Sequence, residues 1–190
     1  MQNIGYQYAI SLFLLMFVIW IVTTILLKKG SQKGERTRKD RASLLILYVC
    51  IIWSLAIAYA LGEAEITMLP EWFYYLGIII MIIGFMVREW ALIVLGKYFS
   101  TAASVAEGQK LIDKGPYQYI MHPAYAGIII TMIGLSIAFQ TIAGVIILII
   151  INGIGFGYRI KIEEEFLKQE FGEEYLNYMK KKKRIIPLLL

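Results

Sequence analysis

What the sequence lacks narrows its chemistry first. It holds one cysteine, one histidine and four prolines, and only 17% of its 190 residues are charged. The lone Cys50 lies inside an apolar block, which excludes a disulfide framework and a cysteine-rich metal site. With His122 as the single imidazole, the sequence offers no zinc-ligand cluster, no serine–histidine–acid set and no phosphate-cradling loop, and no metal is expected. Difficult chemistry would fall to a bound organic cofactor.

What is present is apolar surface in long blocks. Hydrophobic residues make up 59% of the chain and the mean hydropathy is +0.66, far too apolar for a soluble domain of this length. The expectation is an all-α integral membrane protein with one membrane domain and about five transmembrane helices, at 6–27, 42–61, 72–95, 124–139 and 141–158. The last two form a tight hairpin marked by Gln140 and Thr141. A connector at 96–123 and an amphipathic C-terminal helix at 159–182 complete the chain. No internal repeat and no cleavable signal are evident.

The formal charge of +5 is read through its placement rather than as nucleic-acid affinity. Residues 28–41 carry seven Lys and Arg, whereas the loop after the second span carries none. The positive-inside rule then puts the N-terminus outside and the connector and basic C-terminal tail in the cytoplasm. Within the tail, Ile162, Phe166, Phe171, Tyr175 and Met179 fall near one helix face, and Gly172 is a candidate kink. The run Lys180 to Arg184 is expected to meet anionic lipid headgroups.

The polar-aromatic island at 113–127, DKGPYQYIMHPAYAG, stands out between two apolar segments. Gly115-Pro116 signals a turn, and Pro123 suits the first turn of a helix while pushing His122 away from helical geometry. A helix starting there at the membrane edge gathers unpaired N–H groups, which suit an anion or a carboxylate-bearing cofactor. An ordinary interfacial helix start explains the same residues.

Arg159 and Glu163 are four residues apart, on one helix face where the last span leaves the membrane. They read either as a surface ion pair or as an anion-binding arginine beside an acid holding a cation or ribose hydroxyls. Arg88 and Glu89 sit two-thirds of the way along the third span, a costly depth that marks either snorkelling side chains or a working site. Residues 149–157, IIINGIGFG, imitate a nucleotide-binding glycine loop, but the alternating strands and helices that give such a loop meaning are missing. Gly153, Gly155 and Gly157 are read instead as close-packing positions, or as room beside a flat ligand.

Taken together, GPYQYIMHPAYAG, an apolar hairpin and RIKIEEEFLKQEFGEEYLNYMKKKKRIIP resemble the isoprenylcysteine carboxyl methyltransferase family in its small prokaryotic form. The match covers about 95–187, and phospholipid N-methyltransferases share much of this arrangement. The resemblance implies a multi-pass methyltransferase of a prokaryotic plasma membrane that uses S-adenosylmethionine from a cytoplasmic pocket. It implies cofactor contacts at Gln109, Lys110, Leu111, Ile112, Tyr117, His122, Pro123, Ala124 and Tyr125. Glu163 would be the acid that holds the cofactor, and Arg159 would meet the acceptor's carboxylate. Two positions depart from the pattern: Met121 replaces an arginine, and Gln109 stands where a histidine is more usual. The partners implied are the lipid bilayer and a lipophilic methyl acceptor. An amine-bearing lipid acceptor is the alternative, and a small transporter or scaffold working through Arg88 and Glu89 is another.

Overall fold

The computed structural model describes residues 2–28, 38–100 and 111–185, and every regular element in them is a helix. The helices are α1 (Gln2–Lys28), α2 (Arg38–Glu63), α3 (Trp72–Leu95), α4 (Pro123–Ala138), α5 (Ile142–Phe171) and α6 (Glu173–Lys181). Four of them, α1, α2, α3 and α5, are long and apolar enough to cross a membrane. At 16 residues, α4 reaches about 24 Å, short of a bilayer core of roughly 30 Å. The protein is an all-helical integral membrane protein, and the many exposed Ile, Leu and Val side chains of α1, α2 and α5 are the lipid-facing surface this demands.

Small residues set the packing. α3 lies directly on α4 because glycines face backbone at their crossing. A Cβ at Gly84 would come within 2.4 Å of the Thr131 nitrogen, and one at Gly134 within 2.3 Å of the Met81 nitrogen. On the other side α2 pairs with α5, where Gly155 rests on Cys50. Gly153 and Gly157 face open space, so of the three glycines expected to pack, only Gly155 does. Tyr6 of α1 donates to the Phe139 carbonyl at 2.9 Å and joins Ala58, Met81 and Leu135 in the core at one end of the bundle.

The hairpin turns at Phe139 and Gln140, and Thr141 caps α5 by accepting from the Gly144 N–H. The loop after α2 docks on this turn: the Leu69 N–H donates to the Gln140 carbonyl at 2.7 Å, and the Thr141 hydroxyl to that of Ile66 at 3.0 Å.

Two expectations about the C-terminal third change. No boundary falls at Arg159, because α5 runs unbroken to Phe171; the change from apolar to charged composition alters what the helix touches and leaves its backbone unaffected. The break comes at Gly172, with φ at +50°, after which α6 begins. The basic run Lys180 to Arg184, expected to meet lipid headgroups, makes contacts within the protein. Its end folds back on the connector, where Met121 N–H donates to Lys183 at 2.8 Å and His122 N–H to Arg184 at 2.9 Å. Lys182 also pairs with Asp113 at 2.9 Å.

Candidate functional site

Where α3, the connector, α4, α5 and α6 converge, they enclose a cavity of about 150 Å³. Its position follows from three local features. Gly115-Pro116 opens a short 3₁₀ turn that sets Tyr117 against the bundle. Pro123 begins α4 and is fully buried, leaving His122 as the cap residue with its ring turned to the cavity and not onto the helix N-terminus. Gly172 then lets α6 turn back across the opening with Tyr175 and Tyr178.

Leu111, Ile112, Tyr117, His122, Ala124 and Tyr125 line this cavity, and Glu163 joins them from α5. Pro123 lies behind the wall, and Gln109 and Lys110 fall outside the described residues. Met121 lines it too, packed with Tyr175 and Tyr178.

The polar groups form two linked sets. In the first, the Tyr125 hydroxyl donates to Glu163 Oε2 at 2.6 Å and accepts from Arg159 Nε at 3.2 Å. Arg159 Nη1 donates in turn to Asp40 Oδ1 at 2.5 Å and to Ser43 Oγ at 2.9 Å. Arg159 is therefore fastened to α2 behind Tyr125 and does not line the cavity, although the sequence pointed to it as the acceptor's partner. In the second set, Glu164 takes a bidentate fork from Arg184, both contacts at 3.0 Å, and lies 3.4 Å from His122 Nε2. The His122 ring stacks on Tyr125 at 5.7 Å, which joins the two sets.

Asp40, Ser43, Glu164 and Arg184 were not singled out from the sequence. Glu164 had a visible signal as the next residue in the acidic run 163–165. Asp40 and Arg184 sit in basic stretches, and only the folded chain brings them to their partners. The tyrosines around the opening stay protonated: burial, followed by the charge of Glu163, raises the Tyr117 phenol. Burial also raises Tyr178, with Asp113 adding to it.

A cavity lined by aromatic rings and one carboxylate suits an organic cation bearing a flat ring. Among the described residues, no group of three or more His, Cys, Asp or Glu could hold a metal.

The sequence pattern of the isoprenylcysteine carboxyl methyltransferase (ICMT) family matches residues 75–169, which run from α3 through most of α5. A probable protein-S-isoprenylcysteine O-methyltransferase of Oryza sativa subsp. indica is 31% identical over 144 residues, covering 71% of this chain and 75% of that one. The chain belongs to the isoprenylcysteine carboxyl methyltransferase family. Protein-S-isoprenylcysteine O-methyltransferase B of Arabidopsis thaliana is 28% identical over 159 residues, covering 79% of this chain and 81% of its own. The fold matches that of a solved eukaryotic intramembrane Ras methyltransferase ICMT, with a TM-score of 0.59 at 21% identity. That alignment covers 82% of this chain and 54% of the other, so this family member spans about half the length of the solved protein. The matched ICMT segment contains Tyr117, His122, Tyr125, Arg159 and Glu163, while Asp40 and Arg184 lie on either side of it.

Proposed function

We propose that the protein is an S-adenosylmethionine-dependent membrane methyltransferase that esterifies a lipophilic carboxylate of the isoprenylcysteine type. The cavity carries this reading: residues from the connector, α4 and α5 that resemble the family's cofactor contacts line one aromatic, acid-bearing space. When bound, the cofactor supplies an activated methyl group on a cationic sulfur and leaves as S-adenosylhomocysteine.

The chain's own residues have a modest task, because a carboxylate acceptor is ionised at neutral pH and needs no base. Positioning and exclusion of water are what remain. Glu163 holds the cationic part of the cofactor, and Tyr125 fixes the Glu163 carboxylate by donating to it. Arg159, braced by Asp40 and Ser43, fixes Tyr125 in turn. Arg184 and Glu164 steady His122 in the cavity wall. The Asp40–Arg159 contact also supports a cytoplasmic cavity, since it brings the end of the basic segment 28–41 to the side where the cavity opens.

The test is methyl transfer from a donor labelled on its methyl group to an S-prenylated N-acetylcysteine in detergent or nanodiscs. Labelled methanol released by alkali is the expected product of a methyl ester. Alkali-stable label on lipid amines would instead make the protein an N-methyltransferase.

A further inference from the structure

Arg184 holds His122 from two sides. Its carbonyl accepts from the His122 backbone N–H at 2.9 Å. Its guanidinium forks onto Glu164, whose Oε1 lies 3.4 Å from His122 Nε2. Arg184 belongs to the segment after α6 and lies outside residues 75–169, the stretch that the ICMT pattern matches. It therefore brings to the cavity wall a restraint that the matched stretch does not contain. The segment is itself secured, with Met121 N–H donating to Lys183 at 2.8 Å and Lys182 paired with Asp113 at 2.9 Å.

These contacts leave His122 little freedom. Its ring stacks on Tyr125 with 23° between the planes, and Pro123 begins α4 at the next residue. What remains is the choice of ring nitrogen that carries the proton. Arg184 sends one N–H to each oxygen of the buried Glu164 side chain, which marks that side chain as a carboxylate. A carboxylate can only accept, so its contact with His122 needs a proton on Nε2. Arg184 already balances the Glu164 charge, and the imidazole is not required as a counter-ion. In a neutral imidazole with Nε2 protonated, Nδ1 is the acceptor. Among the described residues Nδ1 makes no hydrogen bond, and the residue lines the cavity.

We propose that Arg184 is a positioning residue of the cofactor site: acting through Glu164, it fixes the His122 proton on Nε2 and so presents Nδ1 as an acceptor to an N–H or O–H of the bound cofactor. The inference rests on the methyltransferase reading above and deepens it, because it gives His122 a directional task in binding. S-Adenosylmethionine carries such donors on its adenine amino group, its ribose and its ammonium. A neutral imidazole also adds no positive charge beside the sulfonium. Without the fork, Glu164 loses both arginine donors and keeps His122 alone. The ring then follows a carboxylate that nothing holds in place.

His122 is the single histidine of the chain, so nitrogen-15 labelling of histidine in the full protein, made without a histidine tag, gives one pair of ring signals. In nanodiscs at pH 8, wild type should show Nε2 protonated and Nδ1 bare, and added S-adenosylhomocysteine should move the Nδ1 signal. Arg184→Gln should leave the two nitrogens averaging between tautomers and weaken S-adenosylhomocysteine binding by about fivefold or more, the worth of one hydrogen bond. In a His122→Ala background the same substitution should change binding by less than about twofold, because Arg184 acts through the ring. A proton on Nδ1 in wild type overturns the proposal whether or not any variant folds. So does a loss from Arg184→Gln that persists in full beside His122→Ala, which is what a merely structural role would give. Absence of S-adenosylhomocysteine binding in wild type would instead overturn the methyltransferase reading, and the tautomer in wild type and in Arg184→Gln would still decide what Arg184 does to His122.

Discussion

Arg159 of α5 and Asp40 of α2 form an ion pair at 2.5 Å, with side chains 2% and 0% exposed. It ties α5, behind the Tyr125 wall of the cavity, to the start of the second long helix. Removing one partner of such a pair leaves a buried charge uncompensated, which costs on the order of 3–5 kcal/mol. Asp40→Ala should therefore lower the thermal midpoint in detergent sharply. The double variant Asp40→Leu with Arg159→Met should recover much of the loss. If Asp40→Ala melts like wild type, the pair is not what holds α2 to α5.

The α3–α4 crossing sets a sharper contrast. Gly134→Ala places a carbon where Met81 backbone stands, and Gly84→Ala where Thr131 backbone stands. Overpacking of this kind costs about 1–3 kcal/mol, and here rigid backbone must move. Gly153→Ala meets nothing within 4 Å and should be neutral, or more stable by roughly 0.5–1 kcal/mol, through helix propensity. Equal effects at Gly134 and Gly153 would contradict this packing.

Tyr175 predicts a pH dependence. Burial, with added repulsion from Glu164 and Glu163, raises its phenol above the ordinary value. The folded protein thus holds this proton more tightly than the unfolded chain does. Its contribution is fully present below the unfolded value of about pH 10 and is lost as pH rises beyond it. Tyr117 and Tyr178 shift in the same direction. The thermal midpoint should fall above about pH 10, and Tyr175→Phe should make that fall shallower. Among the described residues the Tyr175 hydroxyl has no hydrogen-bond partner, so the variant should be at least as stable as wild type at pH 8. An unchanged alkaline slope would assign the loss to other groups.

The membrane fold was legible because its signal is local. Runs of some 20 apolar residues, and the interruption at Gln140 and Thr141, need no tertiary information. The change from apolar to charged residues at Arg159 looked like a helix boundary, yet the backbone follows hydrogen bonding and stops only at Gly172. The partners of Arg159 and His122 were not legible. Asp40 lies 119 residues from Arg159, and Arg184 reaches Glu164 only because the chain folds back past His122. No periodicity records such meetings. Arg88 was conspicuous by its depth, but that it lines an apolar cavity depends on how four helices leave space between them.

The central claim is that His122, Tyr125 and Glu163 belong to one cofactor pocket. Calorimetric binding of S-adenosylhomocysteine to the purified protein, beside His122→Ala and Glu163→Ala, tests it most directly. The account predicts micromolar binding by wild type that weakens at least tenfold in each variant, about 1.4 kcal/mol or more. A folded wild-type protein that binds no S-adenosylhomocysteine, or variants that bind it as wild type does, would contradict the account.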